Sequence, residues 1–209
     1  MRFGADYYSN HSRRTRFPWL FYHRAIDHAI ARALNDLHCP KILIVGCGLD
    51  LDLPAVSGAI IYGCDIDPRA VEACAVAHPG AAGRLRVCAD EYDVPDFGVA
   101  FDAVVAKEVV EHVLDPERWS KVLSERLRVG GRLILTTPNY GKGSSLPIIE
   151  RTVLELVARF DGFSRRGIHP SQFDSARLAA LDTGSGMQLC SVQTTWSGWT
   201  LIGIWERRG

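Results

Sequence analysis

Residues 41–54 read KILIVGCGLDLDLP. A short apolar run closing on Gly46, Cys47 and Gly48 has the form of a buried strand ending in a tight turn. A loop that cradles phosphate would continue with a third glycine and a regular helix. Here Asp50 and Asp52 follow, then Pro54. A pyrophosphate favours bare backbone N–H groups, and two carboxylates at the mouth would repel it. The turn therefore points to a ligand without phosphate, or with a cationic end.

Outward from that turn, strands and helices alternate. A helix is expected from Pro18 to about residue 37, with Leu20, His23, Ile26, Ile30, Ala33 and Leu34 recurring at helical spacing and Pro40 ending it. AIIYGC (59–64) reads as a second strand and DPRAVEACAVA (67–77) as a helix capped by Asp67. RLRVCA (84–89) and FDAVVA (101–106) read as the third and fourth strands. Asp115 and Pro116 open a helix that runs to about Leu127 and is ended by the glycines of 129–131. RLILTTP (132–138) is the fifth strand. LPIIERTVLELVARF (146–160) predicts an apolar-faced helix, and residues 174–182 a short one. Two strands meeting around Ser197 and Gly198 close the chain. Continuous apolar strands separated by helices mean a parallel sheet covered on both faces.

In such a sheet, ligands bind beyond the carboxyl ends of the strands, where the strand order reverses. The residues at those ends form a coherent set. Gly46 and Gly48 let the backbone approach a ligand. Asp65 can accept both hydroxyls of a ribose. Ile66 can pack on a base, and Asp90 can accept from an exocyclic amine. After the fourth strand come Lys107, Glu108, Glu111 and His112, and after the fifth Asn139 and Tyr140. Together they outline an adenosine pocket. S-adenosylmethionine, with a sulfonium and an amino group but no phosphate, suits the aspartates better than a dinucleotide does.

ILIVGCG (42–48), GCDIDP (63–68), FDAVVAKEVVEHVLDP (101–116) and LRVGGRLILTTPN (127–139) resemble the successive motifs of class I S-adenosylmethionine-dependent methyltransferases. The branch most similar includes small-molecule, quinone and glycan O-methyltransferases. The resemblance covers about residues 40–140 and extends more loosely through HPSQFDSARLAALDTGSGM (169–187). It implies an α/β fold: a Rossmann-like, seven-stranded, mostly parallel sheet with the last strand antiparallel and helices on both faces. It implies that Gly46, Cys47 and Gly48 line the methionine part of the cofactor and that Asp65 holds the ribose. Ile66 would pack on adenine, Asp90 and Glu91 would stand at its amine, and Ala106 and Lys107 would lie near the methyl. Three departures stand out, one being that the helix after the turn is short. The family often carries an acid where this chain has Ile44, and Asp50 replaces the usual third glycine. Asp50 is the expected substitute, gripping the cofactor's amine.

For acceptor chemistry, His112 and His169 are the candidate general bases, because histidine titrates in the useful range. A lysine beside a sulfonium is repelled, which directs Lys107 toward Glu108, Asp50 or an acidic substrate group. The acceptor, a small molecule, lipid or glycan, is expected under the parts outside the shared motifs. These are residues 1–37, with Tyr7, Tyr8, Arg13, Arg14, Trp19, Tyr22 and His23, and an insert over 140–173. The run HSRRTR (11–16) is either a solvated arm or a clamp for an acidic group.

The 209 residues suit one domain, and 47% apolar content supports a core without disulfide staples. Formal charge is zero, which argues against a nucleic-acid partner. Cys39, Cys47, Cys64, Cys74, Cys88 and Cys190 show no CxxC spacing and no Cys/His cluster of zinc type, so no metal site is expected. Cys47 or Cys64 could be reactive, but small buried fillers are the simpler reading. Neither a signal peptide nor a membrane span is apparent, and the chain reads as cytoplasmic. The oligomeric state leaves no mark in these features. Two other readings share parts of the pattern: a nicotinamide-dependent oxidoreductase, and a methyltransferase-like binding protein without catalysis.

Overall fold

The computed structural model describes residues 19–49, 51, 56–155 and 169–209. Seven strands form one sheet in the order β3-β2-β1-β4-β5-β7-β6. They are β1 (Lys41–Val45), β2 (Ile60–Asp65), β3 (Leu85–Val87), β4 (Phe101–Lys107), β5 (Leu127–Pro138), β6 (Met187–Thr194) and β7 (Thr200–Arg207). β1 to β5 pair in parallel, and β7 runs antiparallel to both β5 and β6. This is the sheet the sequence implied. The order reverses between β1 and β4: the chain builds outward to β3, then returns to the other side of β1. That reversal opens the crevice.

Alternation along each strand sends neighbours to opposite faces. Ile42 and Ile44 of β1 join Ala103, Val105, Ile134 and Ile202 beneath α1 (Trp19–Leu34), whose Ile26, Ile30 and Leu34 are fully buried there. Cys74 of α2 (Pro68–Ala77) belongs to the same layer. Leu43 and Val45 face the other way, with Val104, Leu133, Leu135 and Trp205. That face is covered by Trp119 and Leu123 of α3 (Pro116–Glu125) and by Leu178 of α5 (Ser175–Ala179). In chain order, α4 (Leu146–Ile149) comes between these two helices. Burying one such aliphatic side chain stabilises the fold by about 1.5–3 kcal/mol, so both layers depend on this alternation.

The helix starts follow their caps: Asp67, Asp115 and Asp174 accept from the N–H groups of Arg69, Arg118 and Arg177. Three expectations need correction. Residues 129–131 do not end a helix; α3 stops at Glu125 and β5 already begins at Leu127. The glycines serve a bulge: pairing jumps from Phe101–Leu127 to Ala103–Arg132, and Gly130 has φ +77°. Gly131 lies so close to Phe101 that an added Cβ would meet its carbonyl oxygen at 2.9 Å. β3 has three residues rather than six, because beyond Val87 only Cys88 keeps a backbone bond to β2, donating to the Asp65 carbonyl. The helix expected over 146–160 is interrupted: α geometry over Leu146–Ile149, a π turn over Glu150–Leu154, and α geometry again at Glu155. From residue 156 on, that expectation lies outside the described residues. No helix among the described residues is long and apolar enough to cross a membrane.

Candidate functional site

Gly46 has φ +70°, a left-handed conformation that favours glycine. A Cβ there would also lie 2.6 Å from Cγ2 of Val109. The turn folds back on β2. The N–H groups of Gly46 and Cys47 both donate to the Cys64 carbonyl, at 2.9 and 3.1 Å. The Gly48 N–H donates to Oδ2 of Asp65 at 2.9 Å. Three consecutive donors that a phosphate-binding turn would offer outward are thus held internally. The Cys47 side chain is buried, and contact with the Cys74 thiol, with burial, pushes its pKa far up. Cys64 behaves likewise against Cys88. Both side chains are packed in the core, and Cys47 faces the turn only through its main chain.

Asp65 closes the other wall. Its Oδ1 accepts from the Asp67 N–H at 2.9 Å while Oδ2 holds Gly48. A carboxylate has about four acceptor positions, more than the backbone N–H groups of Gly48, Ile66 and Asp67 fill. Burial raises the Asp65 pKa, partly offset by these N–H groups. Ile66 follows, 38% exposed, an apolar side chain open to solvent at the strand end. Asp90 is exposed and caps a turn by accepting from Tyr92 N–H at 2.7 Å. Glu91 stands beside it, half-buried, and raises the Tyr92 hydroxyl pKa by accepting from it.

At the end of β4 the expectations change. Ala106 is fully buried in the sheet core, so only its main chain can reach the crevice. Lys107 reaches α1, where its Nζ pairs with Asp27 at 2.9 Å. The alternation explains this: Lys107 follows Ala103 and Val105 onto the α1 face. Glu108 instead takes the strained left-handed backbone, φ 57°. Its N–H donates to Thr136, and its carboxylate accepts from Tyr22 Oη at 2.7 Å and Thr136 Oγ1 at 3.1 Å. Burial, then the Glu108 charge, raises the Tyr22 pKa and keeps this donor neutral. Ile44, where the family often has an acid, is core. Asp50, Asp52, Pro54 and the residues before Trp19 lie outside the described residues.

A second cluster forms where the 3-10 turn Val110–His112 meets the segment after β5. Glu111 is 1% exposed. One donor atom from each of Glu111, His112 and His169 lies within 4.8 Å of the others, a carboxylate–imidazole set able to share a proton or grip a cation. The His112 and His169 rings are 4.8 Å apart, edge to face. Ser171 ties the two segments: its N–H donates to the Glu111 carbonyl and its hydroxyl to that of Val113. His169 Nδ1 hydrogen-bonds with Tyr140 Oη, which donates to Glu150 Oε2 at 2.7 Å. The sequence reading found both histidines but not their proximity. Glu111–His112 and His169 are far apart in the chain, and no local spacing signals the contact. Glu150 was also missed as a polar site group, and Tyr22 was expected near the acceptor without its bond to Glu108.

Residues 43–135 match the family profile of a methyltransferase domain. Over that stretch, less than half of its length, the chain is similar to methyltransferases. A solved S-adenosylmethionine-dependent methyltransferase from Clostridium acetobutylicum superposes over 99% of this chain and 100% of its own, with TM-score 0.67 at 11% identity. The mitochondrial ubiquinone biosynthesis O-methyltransferase of Homo sapiens is 39% identical over 107 residues, 47% of this chain. The match covers only 29% of that protein's length. The ubiquinone biosynthesis O-methyltransferase of Chromobacterium violaceum is 29% identical over 157 residues, covering 72% of this chain and 66% of its own. The glycine turn, Asp65 and the β4 end all lie within the matched residues. The Tyr140–Glu150–His169 contacts lie beyond the residues of the family match.

Proposed function

We propose that this chain transfers the methyl group of S-adenosylmethionine to a hydroxyl of a small molecule. The observation that carries the reading is the glycine turn. Its three N–H groups are held by Cys64 and Asp65, so the wall suits a phosphate-free adenosyl ligand and not a pyrophosphate. This also weighs against a nicotinamide cofactor. The residues fit the group. Gly46, Cys47 and Gly48 would line the methionine part through their main chain, and Asp65 would take the ribose diol. Ile66 would cover adenine, with Asp90 and Glu91 at its amine. The main chain of Ala106 and Lys107 would pass the sulfonium, and Asp50 would hold the amino group. The cofactor supplies a methyl already activated by positive sulfur. The protein then needs to align an oxygen with it and exclude water.

The acceptor end falls at His112 and His169, one of which would take the hydroxyl proton. O-methyltransferase relatives put oxygen first among acceptor atoms. A ring-bearing hydroxyl is the leading acceptor, with lipid and glycan hydroxyls next. Its covers would be the 140–173 insert and the arm before Trp19. A cytoplasmic, reducing setting is part of this proposal. The test is methyl transfer from labelled S-adenosylmethionine to a panel of phenolic, lipid and sugar hydroxyls. Product from a phenolic acceptor supports the reading; cofactor binding without product on any acceptor would leave a binding protein instead.

A further inference from the structure

β6 is an edge of the sheet, and among the described residues it pairs with β7 alone. The outer row of backbone N–H and C=O groups on such an edge is a template for another strand. Proteins usually blunt it with lysines, inward charges, proline or a bulge. Here only a bulge is present, where pairing with β7 shifts between Leu189 and Ser191. From Thr183 to Trp205 the sequence holds no charged residue, no histidine and no proline. Gln188, Leu189, Cys190, Gln193 and Thr194 are exposed along the strand. The two ends of β6 differ in shape. Beyond Thr194 stands Trp196, 83% exposed, more than any other large apolar side chain described. At the Met187 end opens a cavity of about 490 Å³, whose lining includes Lys121, Asp182, Ser185, Met187 and Arg207. Asp182 holds Lys121 at 2.5 Å, and Arg207 Nη1 donates to the Leu127 carbonyl at 2.7 Å. Anchored cations and a methionine sulfur suit the face and edge of an indole.

We infer that β6 is a self-association edge: two copies of this chain pair their β6 strands antiparallel about a two-fold axis, and Trp196 of each enters the cavity of the other. Register supports the fit. The eight residues of β6 span roughly 25 Å. With the axis at Cys190 and Ser191, the middle of the strand, a residue two places past the end of one β6 lies level with one two places before the start of the other. Trp196 of one copy then stands beside Ser185 of the second, on the lip of the cavity. The two-fold repeats this contact at both ends and closes the association at two chains. A membrane surface covers an exposed indole, but hydrocarbon offers the edge groups no hydrogen bonds, whereas a second strand does. A second copy also brings the same uncharged edge. The inference does not use the methyltransferase reading.

Light scattering of the full chain as it leaves a sizing column tests this directly. The native protein should show the mass of two chains across the micromolar range. Trp196→Ala should weaken the association on the order of 30-fold, as loss of a buried aromatic anchor does. Gln193→Lys puts a like charge on each of the paired strands and should weaken it about tenfold, less so in high salt. Both side chains are exposed in the single chain, so circular dichroism should keep its native form in both variants. A short bismaleimide should join two native chains through Cys190, which lies at the axis. Cys190→Ser should abolish that product, and Cys39→Ser, at the other exposed cysteine, should not. The mass of one chain throughout the range, or a two-chain mass that neither Trp196→Ala nor Gln193→Lys shifts, would overturn the inference. Crosslinking through Cys39 instead would do the same, by placing the interface elsewhere. So would a single chain that pellets with phosphatidylglycerol vesicles only when Trp196 is present, because the hairpin tip would then be a membrane contact.

Discussion

On the β1–β3 side of the crevice, polar groups are fixed by strand-end geometry: Gly48 and Asp67 on Asp65, Gly46 and Cys47 on Cys64. On the β4–β5 side, they are fixed by side chains from remote segments: Tyr22 on Glu108, Asp27 on Lys107, and Glu150 through Tyr140 on His169. The first wall comes with the fold. The second is assembled by the helix over the sheet and by the insert after it. Under the proposed function an adenosyl site would need only the first, and choice of acceptor and proton transfer would depend on the second.

Substitutions should separate the two sides. The largest effect is expected at Gly46, where φ is positive and Val109 leaves no room for a Cβ. Gly46→Val should cost about 3 kcal/mol or more in urea unfolding and abolish cofactor binding. Near-native stability would show that the turn relaxes easily and that the first wall is not rigid.

Asp65→Asn comes next, with an effect on binding of about 1.5–3 kcal/mol, roughly ten- to a hundredfold in affinity for S-adenosylhomocysteine. It also carries a pH signature. Burial raises the Asp65 pKa in the folded chain, so the folded state holds this proton more tightly than the unfolded one. Stability of the cofactor-free protein should therefore decline as pH rises from about 4 into the raised range. Thermal melts of Asp65→Asn should lack that component of the slope. An unchanged slope would mean that Asp65 is better solvated than its position suggests.

Tyr22→Phe probes the second wall. It removes one hydrogen bond to Glu108 and should cost about 1–2 kcal/mol by chemical denaturation, with cofactor affinity unchanged. Loss of cofactor affinity in this variant would merge the two sides. The smallest effect is expected far from both, at Asp36–Arg132, where paired 2.6 Å contacts join the end of α1 to β5. Arg132 holds the Asp36 pKa below the usual carboxylate range, but Asp36 is 55% exposed. Asp36→Asn should change stability by no more than about 0.5 kcal/mol above the carboxylate range, vanishing as pH falls through the depressed pKa and in high salt.

The two sides also differ in how legible they are in the sequence. Strand runs, Asp caps and the glycine turn are local signals, and they led to the sheet, to Asp65 and to Ile66 at its end. The β5 bulge escaped because glycines at 129–131 look the same whether they end a helix or bend a strand. A strand-end lysine carries no sign of which face its side chain joins; the pairing with Asp27 on α1 could not be read from the sequence. His112 and His169 could be named by chemistry, but their pairing depends on Ser171 tying the segments together. Tyr140 and Glu150 meet across a turn whose π geometry has no sequence signature.

The central claim is that the crevice is a phosphate-free adenosyl site. Isothermal titration of the protein with S-adenosylhomocysteine and, separately, with NAD tests it most directly. The account predicts one S-adenosylhomocysteine bound per chain, weakened in Asp65→Asn, and heats of dilution alone for NAD. Saturable NAD binding, or no binding of S-adenosylhomocysteine to the native protein, would contradict it.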